Sequence, residues 1–363
     1  MSQNGRRQLL LKDIEKRGLD TLLVTHLPNV RYLTGFTGTA GVLVFSGGRS
    51  IFITDGRYKS QAQEQVKGAR VLISKGPALE AAAQQIVRLQ AGNVGIEAEH
   101  MQVWLRSRLR KMLPAKVKLK ETTGLVESIR TIKDSEEVSS IRRAVQLGVD
   151  LFEVALKAIR PGVRETEVAA ELEYEARKRG AQKMSFETIV ASGPRSALPH
   201  GVASDARIPS RGFVVLDYGV ILGGYCSDMT RTVHVGRPSA EARRMYEAVL
   251  DSQLAGIRAV QPGATAGDVD YACRSVLRNT KIGDVGLDRF FIHSTGHGVG
   301  LEIHEGPRLA RDQKEILRPG MVITIEPGVY VEKAGGVRIE DMVAVTDDGC
   351  DVLTSLSKEL IIL

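Results

Sequence analysis

The sequence has few features of a secreted, disulfide-bonded or membrane protein. Its 363 residues include only three cysteines, which are scattered and lack the spacing of metal ligands: Cys226, Cys273 and Cys350. An odd, scattered set of thiols fits a reducing cytoplasm and a fold without disulfides. The longest apolar runs are far shorter than a membrane span, and residues 1–7 lack the apolar core of a signal peptide. We therefore expect a cytoplasmic protein that does not enter a membrane.

Signals of nucleic-acid binding are also missing, although the chain is basic. The net charge of +7 is uneven, because residues 1–130 carry 21 Lys and Arg against 10 Asp and Glu, and the remainder carries 29 against 33. The basic run over residues 106–120 contains no aromatic side chains, and no recognition motif accompanies it. We interpret the run as a solvated face, or as a surface that steers anionic ligands or meets an acidic domain. No nucleic-acid partner is expected.

The length allows two domains, and the pattern of elements divides near residue 130. Alternation and turn signals predict a small mixed α/β domain over residues 1–130, in which residues 29–36 form a turn. The predicted helices and strands are, in chain order, 6–20, 22–24, 42–45, 50–53, 57–67, 79–90 and 94–97.

Residues 131–363 read as a second domain that contains an internal repeat. A helix is predicted from Asp134, an N-cap residue followed by acidic neighbours, to about residue 159. Pro161-Gly162 and Pro262-Gly263 each follow a predicted helix, start another after the same spacing, and lead into glycine-rich strands. The repeat predicts a duplicated half-domain in which each half contributes one set of catalytic groups.

Three of the seven histidines lie in one short glycine-rich stretch: His293, His297 and His304. Glycine disfavours a helix here and allows a tight bend. The alternation over residues 301–305 has the period of a strand. The prediction is that His297 lies in the bend and His304 on the strand that follows. Imidazoles in this number, close to carboxylates, favour metal binding or proton transfer over a purely structural role.

Four carboxylates occupy matching positions in the two halves. A hairpin that turns at Leu222-Gly223 would place Asp217 opposite Asp228, and a turn near Lys333-Ala334 would place Glu326 opposite Glu340. Opposed carboxylates repel each other, so a positive group is expected between them. One alternative is that each pair binds an arginine, with Arg231 and Arg338 available. Two equivalent pairs beside a histidine favour a metal centre instead.

The chemistry of these ligands limits the choice of metal. Four carboxylates and one imidazole, His297, form a mostly oxygen-donor site, which suits Mn²⁺ best and also accepts Co²⁺, Fe²⁺ or Zn²⁺. Four carboxylates exceed the charge of one divalent ion, so two ions are expected. Such a pair supplies a nucleophile at neutral pH and polarises a carbonyl group.

The quoted residues resemble the creatinase/methionine-aminopeptidase family, the pita-bread metallopeptidases. The resemblance covers nearly the whole chain and rests mainly on these segments: residues 198–201, 216–219, 227–232, 293–298, 325–328 and 337–341. It implies an α/β plus α+β architecture, in which a creatinase-like α/β domain (1–130) precedes a pseudo-twofold pita-bread catalytic domain (131–363). By resemblance, Asp217 binds one ion, His297 and Glu326 bind the other, and Asp228 and Glu340 bridge both.

The N-terminal domain and His293 are typical of the proline-directed branch, prolidase and aminopeptidase P. The implied reaction is hydrolysis of the bond before proline in dipeptides or short peptides, with Glu326 as the proton shuttle. His200 and His304 would stabilise the developing oxyanion and hold the substrate. The remaining implied substrate-binding residues are His293, Arg308, Tyr330 and Arg338, of which Arg308 could pair with the free carboxylate of a dipeptide. Its alternative is a surface position at the rim.

Two other functions compete with this one. A broader aminopeptidase would also cleave peptides without proline. A non-catalytic binding module on the same fold would have lost metal ligands, and this sequence retains all five. The resemblance also implies a homodimer.

Overall fold

The computed structural model describes residues 3–282 and 284–363. The chain divides into two compact units, Met1–Arg130 and Thr131–Leu363. Within the described ranges, no helix is both long enough and apolar enough to cross a membrane. The three cysteines are free thiols, as predicted, and two of them are buried.

The first unit is built around a mixed sheet in the order β4-β3-β2-β1-β5-β6. Pairs β1–β2 and β2–β3 are antiparallel, whereas β1–β5, β3–β4 and β5–β6 are parallel. Apolar strand residues such as Leu23 and Val94 pack against Ile86 and Leu109 of the helices. The elements are α1 Gln3–Lys16, β1 Thr21–Val24, α2 Leu27–Thr34, β2 Val42–Ser46, β3 Arg49–Asp55, α3 Lys59–Gln65, β4 Arg70–Ser74, α4 Ala78–Arg88, β5 Asn93–Glu97, α5 Val103–Met112, β6 Lys118–Thr122 and α6 Glu127–Arg130.

The turn predicted over residues 29–36 is wrong, because helix α2 occupies most of this segment. Pro28 lies in the first turn, where its missing N–H costs nothing, and Gly35 ends the helix in the left-handed conformation. Val30 and Leu33, three residues apart, are both buried. Burial of this face stabilises a helix that is too short for its propensity to decide.

The second unit contains two helix pairs and several antiparallel sheets. Helices α7 and α8 belong to the first half of the repeat, and α9 and α10 to the second. The predicted metal ligands lie on or beside two of the sheets, which have the strand orders β12-β9-β8 and β16-β15-β17-β20-β21, and on or beside the hairpin β18–β19. The elements are α7 Ser135–Ala158, α8 Glu165–Lys178, β7 Lys183–Met184, β8 Ile189–Ser192, β9 Gly212–Tyr218, β10 Val220–Leu222, β11 Tyr225–Cys226, β12 Met229–Val235, α9 Ala240–Ala259, α10 Ala266–Asn279, β13 Lys281–Ile282, β14 Val285–Gly286, β15 Gly296–Gly298, β16 Glu305–Leu309, β17 Val322–Ile325, β18 Gly328–Val331, β19 Gly335–Arg338, β20 Asp341–Val345 and β21 Cys350–Val352.

The predicted repeat is confirmed by the backbone of the two helix connections. Gly162, between α7 and α8, and Gly263, between α9 and α10, have φ values of 87° and 91°. Only glycine adopts this conformation without strain, so both connections need it at the same position. Asp134 and Thr265 form capping boxes at the starts of α7 and α10. The predicted helix from Asp134 is therefore confirmed as α7.

Candidate active site

The first acidic hairpin turns one residue later than predicted. Gly223 and Gly224 both have positive φ values, 58° and 84°, which a tight hairpin turn requires. Leu222 consequently pairs with Tyr225, and the same register continues to the pair Asp217–Thr230. The prediction that Asp228 lies opposite Asp217 is therefore wrong.

Asp228 is instead a diagonal neighbour of Asp217 on the same face of the hairpin. The register places it opposite Gly219, where an added Cβ would lie 1.8 Å from the carbonyl oxygen of Ser227. Diagonal neighbours are about 7–8 Å apart at Cα, still within reach of a shared ligand. The two carboxylates therefore still share one face of the hairpin.

The second acidic hairpin has the predicted register. Ile325 pairs with Asp341, and Gly328 pairs with Arg338. Both ladders share one alignment, which places Glu326 opposite Glu340 in the short break between them. Both side chains line the same cavity.

The predicted placement of the two histidines is wrong, because His297 lies on strand β15 and His304 in the bend before β16. The glycines beside His297 serve close strand packing, because a Cβ at Gly296 would lie 2.0 Å from the Thr324 oxygen and one at Gly298 would lie 2.0 Å from the Gly306 oxygen. The two imidazoles still meet, with ring centroids 4.5 Å apart.

The ligand atoms of Asp228, His297 and Glu340 lie within 4.8 Å of one another, a geometry that can hold a metal ion. His297 Nε2 is 3.6 Å from Asp228 Oδ2 and 3.5 Å from Glu326 Oε1. Its Nδ1 lies 3.0 Å from the carbonyl oxygen of Gly298. Because a carbonyl only accepts, Nδ1 carries the proton, and the lone pair of Nε2 faces the carboxylates.

Three buried carboxylate oxygens accept no hydrogen bond from any residue that the structure describes: Asp217 Oδ1, Asp228 Oδ1 and Glu340 Oε1. Buried polar atoms without partners are costly and rare in native proteins. All three belong to predicted metal ligands and line the same cavity. A divalent cation prefers such oxygens, so the residues present fit a metal centre.

The electrostatics of the site also require positive charge. Burial and the neighbouring carboxylates raise the pKa of Asp228 and of Glu340 well above the usual value. Burial raises the pKa of Glu326 to about 7, and burial lowers the pKa of His297. Desolvated like charges cannot all ionise without a counter-charge. A bound divalent cation would supply that counter-charge.

Arg338 supplies part of the positive charge. Its Nη2 forms an ion pair with Asp217 Oδ2, and its Nη1 donates to Tyr330 Oη over 2.6 Å. Tyr330 Oη lies 2.9 Å from His293 Nε2, and His293 Nδ1 lies 2.8 Å from the Ser294 carbonyl oxygen. Nδ1 therefore donates to the carbonyl, and Nε2 accepts from the tyrosine hydroxyl. The result is a continuous chain from His293 to Asp217.

The other predicted arginine contact is not formed. Arg231 pairs with Asp341, at 2.7 Å, and reaches Glu340 only at its backbone oxygen. The alternative in which each acid pair binds an arginine therefore holds only in part, because within the described residues only Asp217 of the four acids forms such an ion pair, with Arg338.

The cavity has a volume of about 810 Å³ and brings most of the predicted residues together. Besides the metal-ligand set, the predicted residues that line it are His200, His293, His304, Arg308 and Arg338. Three of these cavity-lining residues are exposed to solvent and mark the opening of the cavity: His200, His304 and Arg308. Tyr330 is the exception, because it is 7% exposed and does not line the cavity. It lies behind the wall and orients His293 and Arg338.

Several residues that shape the site were not predicted from the sequence. Thr230, opposite Asp217, donates from Oγ1 to Glu340 Oε2 over 2.7 Å. Ile189 pairs with Asp217 on one side and with Val202 on the other, so the three side chains form a row on one sheet face. The correct hairpin register would have revealed Thr230. No local signal in the sequence marks Ile189 or Val202.

Known proteins resemble the chain over nearly its whole length. An Xaa-Pro dipeptidase from Bacillus anthracis has 42% identical residues, a TM-score of 0.96 and coverage of 100% of both chains. An Xaa-Pro dipeptidase from Pyrococcus horikoshii is 35% identical over 99% of each chain. An X-Pro aminopeptidase from Thermotoga maritima is 34% identical with a TM-score of 0.88, covering 95% of this chain and 98% of that one.

Two family descriptions match the sequence. The Creatinase/Prolidase N-terminal domain matches residues 6–132, and metallopeptidase family M24 matches residues 139–347. The second match contains all five predicted metal ligands and both acidic hairpins. Together with a relative 42% identical over the whole chain, these matches show that the protein belongs to metallopeptidase family M24.

Proposed function

We propose that this chain is a dinuclear-metal peptidase that hydrolyses the Xaa-Pro bond at the N-terminus of dipeptides or short peptides. The observation that carries the proposal is a set of three buried carboxylate oxygens, on Asp217, Asp228 and Glu340, that accept no hydrogen bond from any described residue. Two of these carboxylates also cluster with the imidazole of His297. The named Xaa-Pro dipeptidases and X-Pro aminopeptidase at 34–42% identity support the substrate class.

The proposed ligand assignment follows the two hairpins. Asp217 would hold one ion, His297 and Glu326 the other, and Asp228 and Glu340 both. The donor set favours Mn²⁺, with Co²⁺, Fe²⁺ or Zn²⁺ as alternatives. When bound, the two ions would supply Lewis acidity and a nucleophile at neutral pH.

The residues of the chain itself would bind the peptide and move the proton. Glu326 lines the cavity and would carry a proton from the nucleophile to the leaving proline nitrogen. His200 and His304 line the opening and would donate hydrogen bonds to the developing oxyanion. Partial burial of the ring and the neighbouring His297 lower the pKa of His304, so this ring would act as a neutral donor at pH 7. Arg338 and Tyr330 would hold Asp217 and His293 in place.

The maximum peptide length depends on Arg308. It lies on β16 directly opposite His297, and its side chain lines the cavity. At this position its guanidinium could bind the free carboxylate of a dipeptide through two hydrogen bonds. A longer substrate would have no carboxylate there and would leave Arg308 at the rim.

The test compares an Xaa-Pro dipeptide with an Xaa-Pro-Xaa tripeptide, using metal-free protein reloaded with Mn²⁺. Arg308→Met is assayed beside Arg311→Met, a nearby arginine that does not line the cavity. Cleavage of the dipeptide alone, lost in Arg308→Met only, supports a prolidase. Equal or better cleavage of the tripeptide supports aminopeptidase P and assigns Arg308 to the rim. No activity on either peptide with any of the four metals would refute the proposal.

The competing functions predict different results. Comparable cleavage of dipeptides without proline would support the broader aminopeptidase. A non-catalytic binding module would bind proline peptides without cleaving them, and the intact ligand set argues against it.

We extend the proposal to a homodimer, as the family resemblance implies, and to the cytoplasm, as the scattered cysteines suggest. The free cysteines are compatible with a reducing compartment. Light scattering of the purified protein would give the oligomeric state, and cell fractionation would give the compartment.

A further inference from the structure

A buried ion pair on α10 lies outside the metal centre. Asp270 and Arg274 are one helical turn apart, and their side chains are 1% and 8% exposed. Arg274 Nε donates to Asp270 Oδ2 over 2.8 Å. Two buried charges lose hydration, and well-packed apolar residues often stabilise a fold as much or more. The pair therefore calls for a role other than stability.

Among the residues that the structure describes, all hydrogen bonds from the side chains of this pair to other elements go to one segment. Arg274 Nη1 donates to the Phe291 oxygen over 2.8 Å, and Nη2 donates to the His293 oxygen over 2.6 Å. The second oxygen of Asp270 accepts from Thr295 Oγ1 over 2.8 Å. The guanidinium also lies over the Phe291 ring, 4.1 Å from its centroid. The pair thus contacts three alternate residues of one short stretch.

The stretch over residues 291–295 forms a wall of the active-site cavity. Ile292, His293 and Ser294 all line it. Both ring nitrogens of His293 are engaged by Ser294 and Tyr330, so the ring position depends on the backbone that carries it. The Thr295 oxygen accepts from the backbone N–H of Glu326 over 2.8 Å. Movement of this stretch would therefore displace the cavity wall.

We propose that Asp270 and Arg274 are positioning residues, which hold the 291–295 wall in the shape that receives the peptide. The inference rests on the proposed peptidase function for its kinetic readout, and it predicts a property of the free protein as well. Neither side chain lines the cavity. They act through the backbone of Phe291 and His293 and the side chain of Thr295.

The test uses Asp270→Asn, which removes the charge, and Thr295→Val, which removes only the hydroxyl group. Thr295→Ser keeps the hydroxyl and should rescue the effect. Arg278→Met is the matched control, because Arg278 lies one turn further along α10 in an exposed pair with Asp288. If Asp270→Asn fails to fold, Thr295→Val and its serine counterpart decide the question alone.

The expected result is a KM for the Xaa-Pro dipeptide about tenfold higher, equivalent to ~1.4 kcal/mol, with kcat within about threefold of wild type. In the absence of substrate, amide hydrogen exchange over residues 291–297 should be faster in Asp270→Asn and Thr295→Val than in Arg278→Met. Lower thermal stability with unchanged KM and unchanged exchange would overturn the inference. If the wild type cleaves no Xaa-Pro peptide, the proposed function fails separately, and hydrogen exchange alone decides this inference.

Discussion

Removal of metal from the acid cluster should lower the stability of the second unit by an amount that ligand linkage predicts. An ion that binds only the folded state contributes about 2.7 kcal/mol when its free concentration is 100 times its Kd. For a unit of the size of residues 131–363, 1 kcal/mol corresponds to roughly 2–4 °C in Tm. Each occupied site should therefore raise Tm by about 5–11 °C.

Loss of one charge from the cluster should have the opposite effect, because it should stabilise the metal-free protein. Glu340→Gln keeps the shape of the side chain and can still accept from Thr230 Oγ1, but it removes one of the buried like charges. The metal-free variant should therefore be at least as stable as metal-free wild type, while the increment from metal becomes smaller. The two curves should cross as Mn²⁺ is added.

Differential scanning calorimetry of chelated and reloaded protein measures both effects. Glu332→Gln is the control, because Glu332 is an exposed carboxylate in the same hairpin and should respond to metal as the wild type does. A wild-type Tm that does not rise with any divalent metal would refute the reasoning. So would an increment in Glu340→Gln as large as that of the wild type.

Three further changes test other parts of the site. Arg338→Met breaks the buried pair with Asp217 and should lower the free energy of unfolding by about 3–5 kcal/mol. Arg338→Lys should recover part of this loss. A loss below about 1 kcal/mol in urea unfolding would contradict the prediction. Burial lowers the pKa of His293 to about 3, whereas the pKa in the unfolded chain is about 6.5. The free energy of unfolding should therefore fall as the pH drops from about 6.5 to 3, by up to ~1.4 kcal/mol per pH unit. His293→Gln should reduce that slope, and an unchanged slope in urea titrations would refute the assignment. Ile189 lines the cavity beside Asp217, so Ile189→Ala enlarges the space there and should raise kcat/KM for Phe-Pro relative to Ala-Pro. An unchanged ratio would exclude Ile189 from substrate selection.

Much of the second unit could be predicted because the repeat constrains it twice. The capping residue at Asp134 and the two Pro-Gly connections each follow from local backbone chemistry, and the structure confirms them. The register of the second hairpin was predictable as well. Lys333, the residue about which the predicted register is centred, has a φ of 70°.

Other features depend on contacts that are distant in the sequence. The first turn could have begun at Leu222 or at Gly223, and this shift of one residue moves the pairing of Asp228 by two. The glycines around His297 could equally have marked a bend, and only the carbonyl oxygens of neighbouring strands exclude a side chain there. Helix α2 forms because its face is buried, which the local sequence does not show. Tertiary packing decides each of these cases.

The arginine and metal interpretations of the acid pairs prove compatible. Arg338 contacts one oxygen of Asp217, and the other accepts no hydrogen bond from any residue in the described ranges. Arg231 pairs with Asp341 instead. Three buried carboxylates, a fourth that is partly buried and one contacting guanidinium leave an excess of negative charge. Three oxygens of the set also accept no hydrogen bond within the described residues. A single ion pair cannot neutralise this set. Arg338 thus fixes the orientation of one carboxylate, and most of the remaining charge is left for the proposed metal ions.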